Sequence, residues 1–345
     1  MDVFVNAFTS MFESDTLITK TRKVNVGVIL KGFEPYELKS GLIALKKRLP
    51  PYHEKYPLIV EDLNKMEAGE KGEAHVFNLL NSYPLAKNTV LLHNISLNSN
   101  IQIDFLVISQ SWCLILEVKN IKGTLYFNHN PKQLIRMSDE GKEENLGSPE
   151  TQVEIYMRGL RALLYKLRIN IPIYGAIVFA FQNVIIKKSP STVPAVIGRE
   201  LISYIGNLPI QENKVDPYSL GRNIMQQVKV RNVFPLCQEY AIGTHEIIKG
   251  VECPSCETFS MLRTLRTWYC KNCEKTYNRA HERALADYSM LINDKITNKE
   301  CVQFLNLKNH QVATRILKAN STARLGHNRN SVYVLKNFKD ILNGL

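Results

Sequence analysis

Asp104, Glu117 and Lys119 stand in a stretch that otherwise looks built for burial, where charged side chains are seldom found without a partner. They belong to QIDFLVISQSWCLILEVKN, residues 102–120, two apolar runs around a polar turn. A turn between Gln110 and Ser111 makes the runs an antiparallel hairpin and sets Asp104 directly opposite Glu117. Directly opposed residues of such a pair have Cα atoms about 4.5–5.5 Å apart. Lys119, two residues beyond Glu117, points to the same face; Phe105, Val107, Leu116 and Val118 point to the other.

Opposed carboxylates weaken a strand pair unless a cation or a shared proton relieves them. Asp104, Glu117 and the main-chain carbonyl of Val118 make an oxygen donor set of the kind Mg²⁺ takes. An ion held there is a source of hydroxide from water. Lys119 beside it can orient that water and offset charge developing on a phosphate. The spacing is loose, and an exposed hairpin end carrying a surface ion pair fits it as well.

A second set is more specific. CPSCETFSMLRTLRTWYCKNC places Cys253, Cys256, Cys270 and Cys273 in a C-x2-C-x13-C-x2-C arrangement. Two-residue gaps let both thiolates of a knuckle face one ion, and four such sulfurs suit tetrahedral Zn²⁺. The intervening FSMLRTLRTWY reads as a β-hairpin, so the segment is expected to be a zinc ribbon. Four sulfurs leave no open coordination position, so this zinc is structural. Arg263, Arg266 and Trp268 stand on the hairpin and can meet phosphates or bases; alternatively the Trp is packed and the arginines solvated. His281 lies outside and is not needed as a ligand. Cys113, Cys237 and Cys301 are left as reduced thiols.

Asp104 with EVK resembles the Asp…(Asp/Glu)-x-Lys signature, PD-(D/E)xK, of the restriction-endonuclease-like superfamily. GEKGEAHVFNLL, QIDFLVISQSWCLILEVKNIKGTLYF and the Gln of SPETQVE, in that order, resemble more closely its nuclease-related domain, NERD. The resemblance covers roughly residues 65–170, and LIALKKRLPPYHEKYP is similar to the leader of bacillus-type members. It implies that Asp104 and Glu117 ligate the metal and that Lys119 is the catalytic lysine. It also implies that Glu73, in the helix before the sheet, reaches the metal through water, and that Gln152 flanks the site. The Pro that often precedes the Asp in the wider superfamily is Ile103 here, and a strand residue serves there equally well.

Several elements must position these groups. Residues 34–49 carry apolar residues at helical spacing, stopped by PPYHEKYP, and 62–83 read as a longer amphipathic helix interrupted around Gly69 and Gly72. NTVLLHNISL reads as a strand, the acidic hairpin adds two, and GTLYFN extends or follows the second. Residues 149–169 open with Pro and Glu and show a helical stripe of Val153, Met157, Leu160 and Leu164. PIYGAIVFAF is a buried strand, and PAVIGRELISYIGNL a short strand and a helix. The expected fold is α/β, a restriction-endonuclease-like mixed sheet flanked by helices, followed by a zinc ribbon and a winged helix-turn-helix. The expected division is a helical leader over 1–60, the nuclease-like domain over 61–210, a connector over 211–250, the ribbon over 251–278 and the winged-helix region over 279–345.

That last region reads HERALADYSMLI as a helix and TNKECVQFL as a second, with a capping box at Thr297 and Glu300. HQVATRILKAN is a third, followed by a basic hairpin around Gly326. The third helix would be the reader, with His310, Gln311, Thr314 and Arg315 toward the major groove and Arg324, His327 and Arg329 on the wing. A small helical cap that binds protein is the alternative.

The net charge of +12 favours a polyanionic partner, nucleic acid or an anionic membrane surface. From Val251 to Leu345 there are 15 Lys and Arg against 8 Asp and Glu. No apolar run is long enough to span a membrane, and the acidic N-terminus lacks the order of a secretory signal, so a cytoplasmic location is expected. The composite expectation is a nuclease using Mg²⁺ or Mn²⁺ on DNA, held on its substrate by ribbon and winged helix. Two competitors are a DNA-binding protein whose nuclease-like domain does not cut, and a protein-assembly module.

Overall fold

The structure is a computed structural model describing residues 27–343 except 35, 84, 86–87, 99, 139, 211–214, 229–232 and 327–330. The described chain divides into two units, one of residues 27–33 and 75–228, the other of 34–74 and 233–343.

The first unit is built on a six-stranded mixed sheet. In spatial order it comprises β1 (Val28–Lys31), β2 (Val90–Asn98), β3 (Ile101–Ile108), β4 (Cys113–Lys119), β8 (Ile173–Phe179) and β10 (Ala195–Ile197). The pairs β2–β3 and β3–β4 are antiparallel, while β1–β2, β4–β8 and β8–β10 are parallel. Alternation along β4 separates two cores. Leu114 and Leu116 join Val76, Leu79 and Leu80 from the last turns of α2 (Tyr56–Ser82) on one face. Cys113 and Ile115 join Leu160 and Leu164 of α3 (Pro149–Lys166) and Ile224 of α5 (Pro217–Gln227) on the other. A smaller sheet, ordered β7 (Glu143–Asn145), β6 (Lys132–Met137), β5 (Gly123–His129) and β9 (Val184–Lys188), packs Leu125, Phe127 and Leu134 against Val153 and Phe179.

Helix α3 lies close on the main sheet because two glycines let it. A Cβ on Gly175 of β8 would meet Val153 Cγ1 at 2.3 Å, and one on Gly159 would meet Ile101 Cδ1 at 2.3 Å.

The second unit has one apolar core. It draws Leu42 and Leu45 from α1 (Glu37–Arg48), and Ile59 and Leu63 from the first part of α2. Met261 and Trp268 come from a three-stranded sheet of β11 (Met261–Arg263), β12 (Trp268–Cys270) and β13 (Thr276–Tyr277). Leu285 and Leu291 come from α7 (Ala280–Leu291). Beyond α7 the order is β14 (Lys295–Thr297), α8 (Asn298–Phe304), α9 (His310–Asn320), β15 (Ser321–Leu325), β16 (Val332–Leu335) and α10 (Phe338–Asn343), with β14, β16 and β15 forming one antiparallel sheet. Thr297 makes the expected capping box with Glu300.

One expectation, the interruption of the long helix, changes. Helix α2 runs unbroken for 27 residues through Gly69 and Gly72. Each glycine costs about 1 kcal/mol, and the burial of Ile59, Leu63, Val76, Leu79 and Leu80 offsets that. GTLYFN follows the hairpin as β5 but belongs to the second sheet. The connector is structured, with α5 capped by Asp216 and opened by Pro217, and a short α6 (Leu236–Glu239). The described part of the leader, residues 34–60, shares its core with the C-terminal segment.

Candidate functional site

The acidic hairpin has the register its sequence suggests. Phe105 pairs with Leu116, Leu106 with Ile115, Val107 with Leu114 and Ile108 with Cys113, around a turn closed by Ser109 N–H to the Trp112 carbonyl at 2.8 Å. One step beyond the ladder Asp104 comes level with Glu117. There the Asp104 carboxylate takes the Val118 N–H at 2.8 Å, so its side chain replaces a main-chain partner. Glu117 and Lys119 continue the face of Ile115, toward α3.

Glu117 is only 2% exposed, which excludes the exposed hairpin end with a surface ion pair. Its Oε1 accepts from Lys119 Nζ at 2.6 Å, and the same ammonium donates to Gln152 Oε1 at 3.3 Å. Gln152 sits in the first turn of α3. Ser148 caps that helix by accepting from Thr151 N–H at 3.2 Å, and Glu150 fixes the turn by accepting from the N–H groups of Ser191 at 2.8 Å and Thr192 at 2.5 Å.

Tyr156, one turn further along α3, is a member that sequence reading missed. Its hydroxyl accepts from Gln152 Nε2 at 2.6 Å. The i, i+4 spacing was available as a signal, since such residues share a helix face. Burial, then the charges of Glu117 and Asp104, push the phenol up to about 12. Both carboxylates therefore act on one buried point. The donors assembled here are all oxygen apart from the ammonium, and they fit a hard divalent cation rather than a soft one.

Glu73 is placed with the second unit, where it is buried and accepts from the Tyr36 hydroxyl at 2.5 Å. Its neighbour Glu70 takes the Tyr36 N–H at 3.1 Å and pairs with Lys39.

The four cysteines converge. One ligand atom from each of Cys253, Cys256, Cys270 and Cys273 lies within 4.8 Å of all the others, so they can hold one metal ion of the zinc type. Among the described residues this is the only cluster of three or more His, Cys, Asp or Glu so placed. The hairpin between them is formed by β11 and β12. Trp268 is fully buried, and its indole N–H donates to His281 Nδ1 at 3.0 Å, so it does not reach a base. Burial lowers His281 to about 4, which keeps the imidazole neutral and able to accept.

On α9, Gln311 and Arg315 are exposed. Thr314 is engaged inside the fold: its hydroxyl accepts from Asn298 Nδ2 at 2.8 Å and donates to the His310 carbonyl at 3.0 Å, while His310 Nδ1 meets Asn298 Oδ1 at 2.6 Å. These bonds fix α8 against α9. Arg324 donates to Ser331 Oγ at 2.7 Å and lies over the Tyr333 ring. Arg266 is exposed at the tip of the β11–β12 hairpin; His327 and Arg329 lie outside the described residues. No described helix is long and apolar enough to cross a membrane.

Residues 68–180 match the family model described as nuclease-related domain, NERD. The match takes in the acidic hairpin, Gln152 and Tyr156, and leaves the cysteine cluster and everything after it uncovered. No curated protein and no solved structure matches the chain.

Proposed function

We propose that the chain is a metal-dependent nuclease that hydrolyses phosphodiester bonds of DNA. The observation that carries this reading is the Lys119 ammonium bridging Glu117 and Gln152, beside Asp104, within a segment that matches a nuclease-related domain. Asp104, Glu117 and the Val118 carbonyl would hold Mg²⁺ or Mn²⁺, which when bound lowers the pKa of water and offsets phosphate charge. Lys119 presents its protons toward the attacking water and the phosphate, its direction set by Gln152. The Tyr156 hydroxyl accepts from the Gln152 amide nitrogen, which leaves the amide oxygen for Lys119. Glu73 would support the reaction as the family resemblance implies.

The second unit supplies substrate binding. Helix α7, strand β14, helices α8 and α9 and the β15–β16 hairpin follow the order of a winged helix, with α9 as reader. Gln311 and Arg315 face out from it, Arg324 stands on the wing strand, and Arg263 and Arg266 come from a ribbon held by structural Zn²⁺.

The test is cleavage of plasmid DNA by the full chain with Mg²⁺ or Mn²⁺. Wild type is expected to nick or degrade it, and Lys119→Ala to lose at least about 100-fold in rate while still binding DNA. Salt-sensitive binding with no metal-dependent cleavage by wild type would instead support a DNA-binding protein without nuclease activity.

A further inference from the structure

We propose that the outward face of α3 is a track for the phosphodiester backbone of the substrate, with Arg158, Arg161, Tyr165 and Arg168 leading the DNA away from the Glu117–Lys119 pair. The inference rests on the nucleic-acid reading above and deepens it, because it gives the first unit a binding surface of its own.

Helix α3 has two faces of opposite character. Val153, Tyr156, Leu160 and Leu164 are buried and fix the helix to the sheets. The other side is exposed over Ile155, Arg158, Arg161, Tyr165 and Lys166, and Arg168 continues it just past the helix end. Spacings of three and four residues put Arg158, Arg161 and Tyr165 on one stripe. At a rise of about 1.5 Å per residue, the two arginines lie about 9 and 14 Å along the axis from Gln152, and Tyr165 about 20 Å. The helix that meets Lys119 with its first turn therefore presents cations over the turns that follow.

The charge on this face is of one sign. From Ile155 to Ile169 there are four Lys and Arg and no Asp or Glu. The side chains of those four make no ion pair or hydrogen bond among the described residues. Glu154, one turn before Arg158, is already held by Lys132 Nζ at 2.6 Å and by the Thr192 hydroxyl at 2.6 Å. A merely solvated helix face gains by mixing signs, whereas like charges one turn apart destabilise the helix. Attraction to the helix C-terminus accounts for Lys166 and Arg168 but not for Arg158 and Arg161, which stand in its middle. Tyr165 is 84% exposed, so its ring serves no core. Guanidinium and tyrosine hydroxyl groups both donate to phosphate oxygens, and a polyanion relieves the repulsion that the empty face retains. Such contacts carry no sequence information, so the track orients the DNA over the site without choosing where it is cut.

The experiment is a titration of fluorescent duplex DNA over a range of salt with the full chain carrying Lys119→Ala, so that the DNA stays uncut. To this parent are added Arg158→Gln, Arg161→Gln, both together, Tyr165→Phe, or, as a control, Lys187→Gln, which alters an exposed lysine of β9. Melting temperatures confirm the fold of each. Each arginine variant is expected to weaken binding about 10-fold and to lower the salt slope by about one, and the pair to lower it by about two. Tyr165→Phe is expected to weaken binding about 5-fold at an unchanged slope, since it removes a neutral donor. Unchanged affinity and slope in the double arginine variant would overturn the track. So would an equal loss in Lys187→Gln, which would show attraction to charge in general. Because the readout is binding, failure of wild type to cut DNA would end the nuclease reading and leave the track standing. Failure of the parent to bind DNA at any salt would remove both.

Discussion

At the scale of single residues, the site depends on which way an amide faces. Gln152 offers an oxygen on one side and a nitrogen on the other, and Tyr156 takes the nitrogen. Tyr156→Phe removes that acceptor without leaving a cavity, and the amide is then free to turn its NH₂ toward Lys119. Cleavage is expected to fall about 10-fold at unchanged DNA affinity, as read by single-turnover rates beside a binding titration; an unaltered rate would end the positioning role. The phenol also has a pH consequence. Burial first, then the nearby carboxylates, raise it to about 12, so it stays protonated through the working range and adds no step to the pH–rate profile. A raised folded pKa means stability is intact below the ordinary tyrosine value near 10 and is lost as pH climbs toward 12.

At the scale of elements, the Trp268–His281 bond clips the β11–β12 hairpin to α7. His281 accepts only while neutral, and burial holds it at about 4 against an ordinary 6.5. The lowered value means the clip is complete above about pH 6.5 and is withdrawn as pH falls toward 4, because the unfolded chain takes up the proton first. The loss is on the order of 3 kcal/mol. Melting followed by tryptophan fluorescence in a Trp112→Phe background, which leaves Trp268 as the reporter, should show this slope and lose it when His281→Phe is added, with metal release measured separately. An identical slope in both proteins would assign the acid sensitivity elsewhere.

The hairpin that carries Asp104 and Glu117 could be read from period-two alternation and a short polar turn, and α3 from its Pro-Glu opening and apolar stripe, since burial on one face imposes those periods. The smaller sheet could not. KQLIRM, EEN and VIIKK form strands without clean alternation, because only part of that sheet meets a core. Helix α5 did carry a signal, Asp216 before Pro217, within a segment otherwise lacking a long apolar stripe. The contact of Trp268 with His281 spans 13 residues and depends on how a strand meets a helix, which no local pattern encodes.

At the scale of the whole molecule, the second unit is discontinuous in sequence, and Arg48 is its pin. The side chain is fully buried between the rings of Phe259 and Phe304, each 4.6 Å from the guanidinium carbon. It donates from Nε to Asp287 Oδ2 at 2.9 Å and from Nη1 to the carbonyls of Ile248 and Gly250. Breaking such a pair from one side leaves a buried charge uncompensated, so Asp287→Ala should cost about 3–5 kcal/mol. By the same reasoning residues 230–345 expressed alone lack α1 and the first part of α2, and should not give a cooperative melt, whereas adding residues 34–74 in trans should restore one. A sharp transition from the C-terminal piece by itself would show that the leader is dispensable.

Synthesis runs from the N-terminus, and this gives the divided unit a temporal side. Leu42, Leu45, Ile59 and Leu63 leave the ribosome long before Leu285, Leu291 and Leu317 exist to cover them. The early helices must therefore wait, apolar and uncovered, while the intervening half of the chain is completed. A message cut short after that half yields a product whose first helices never find their partners, and quality control has a greasy surface by which to recognise it.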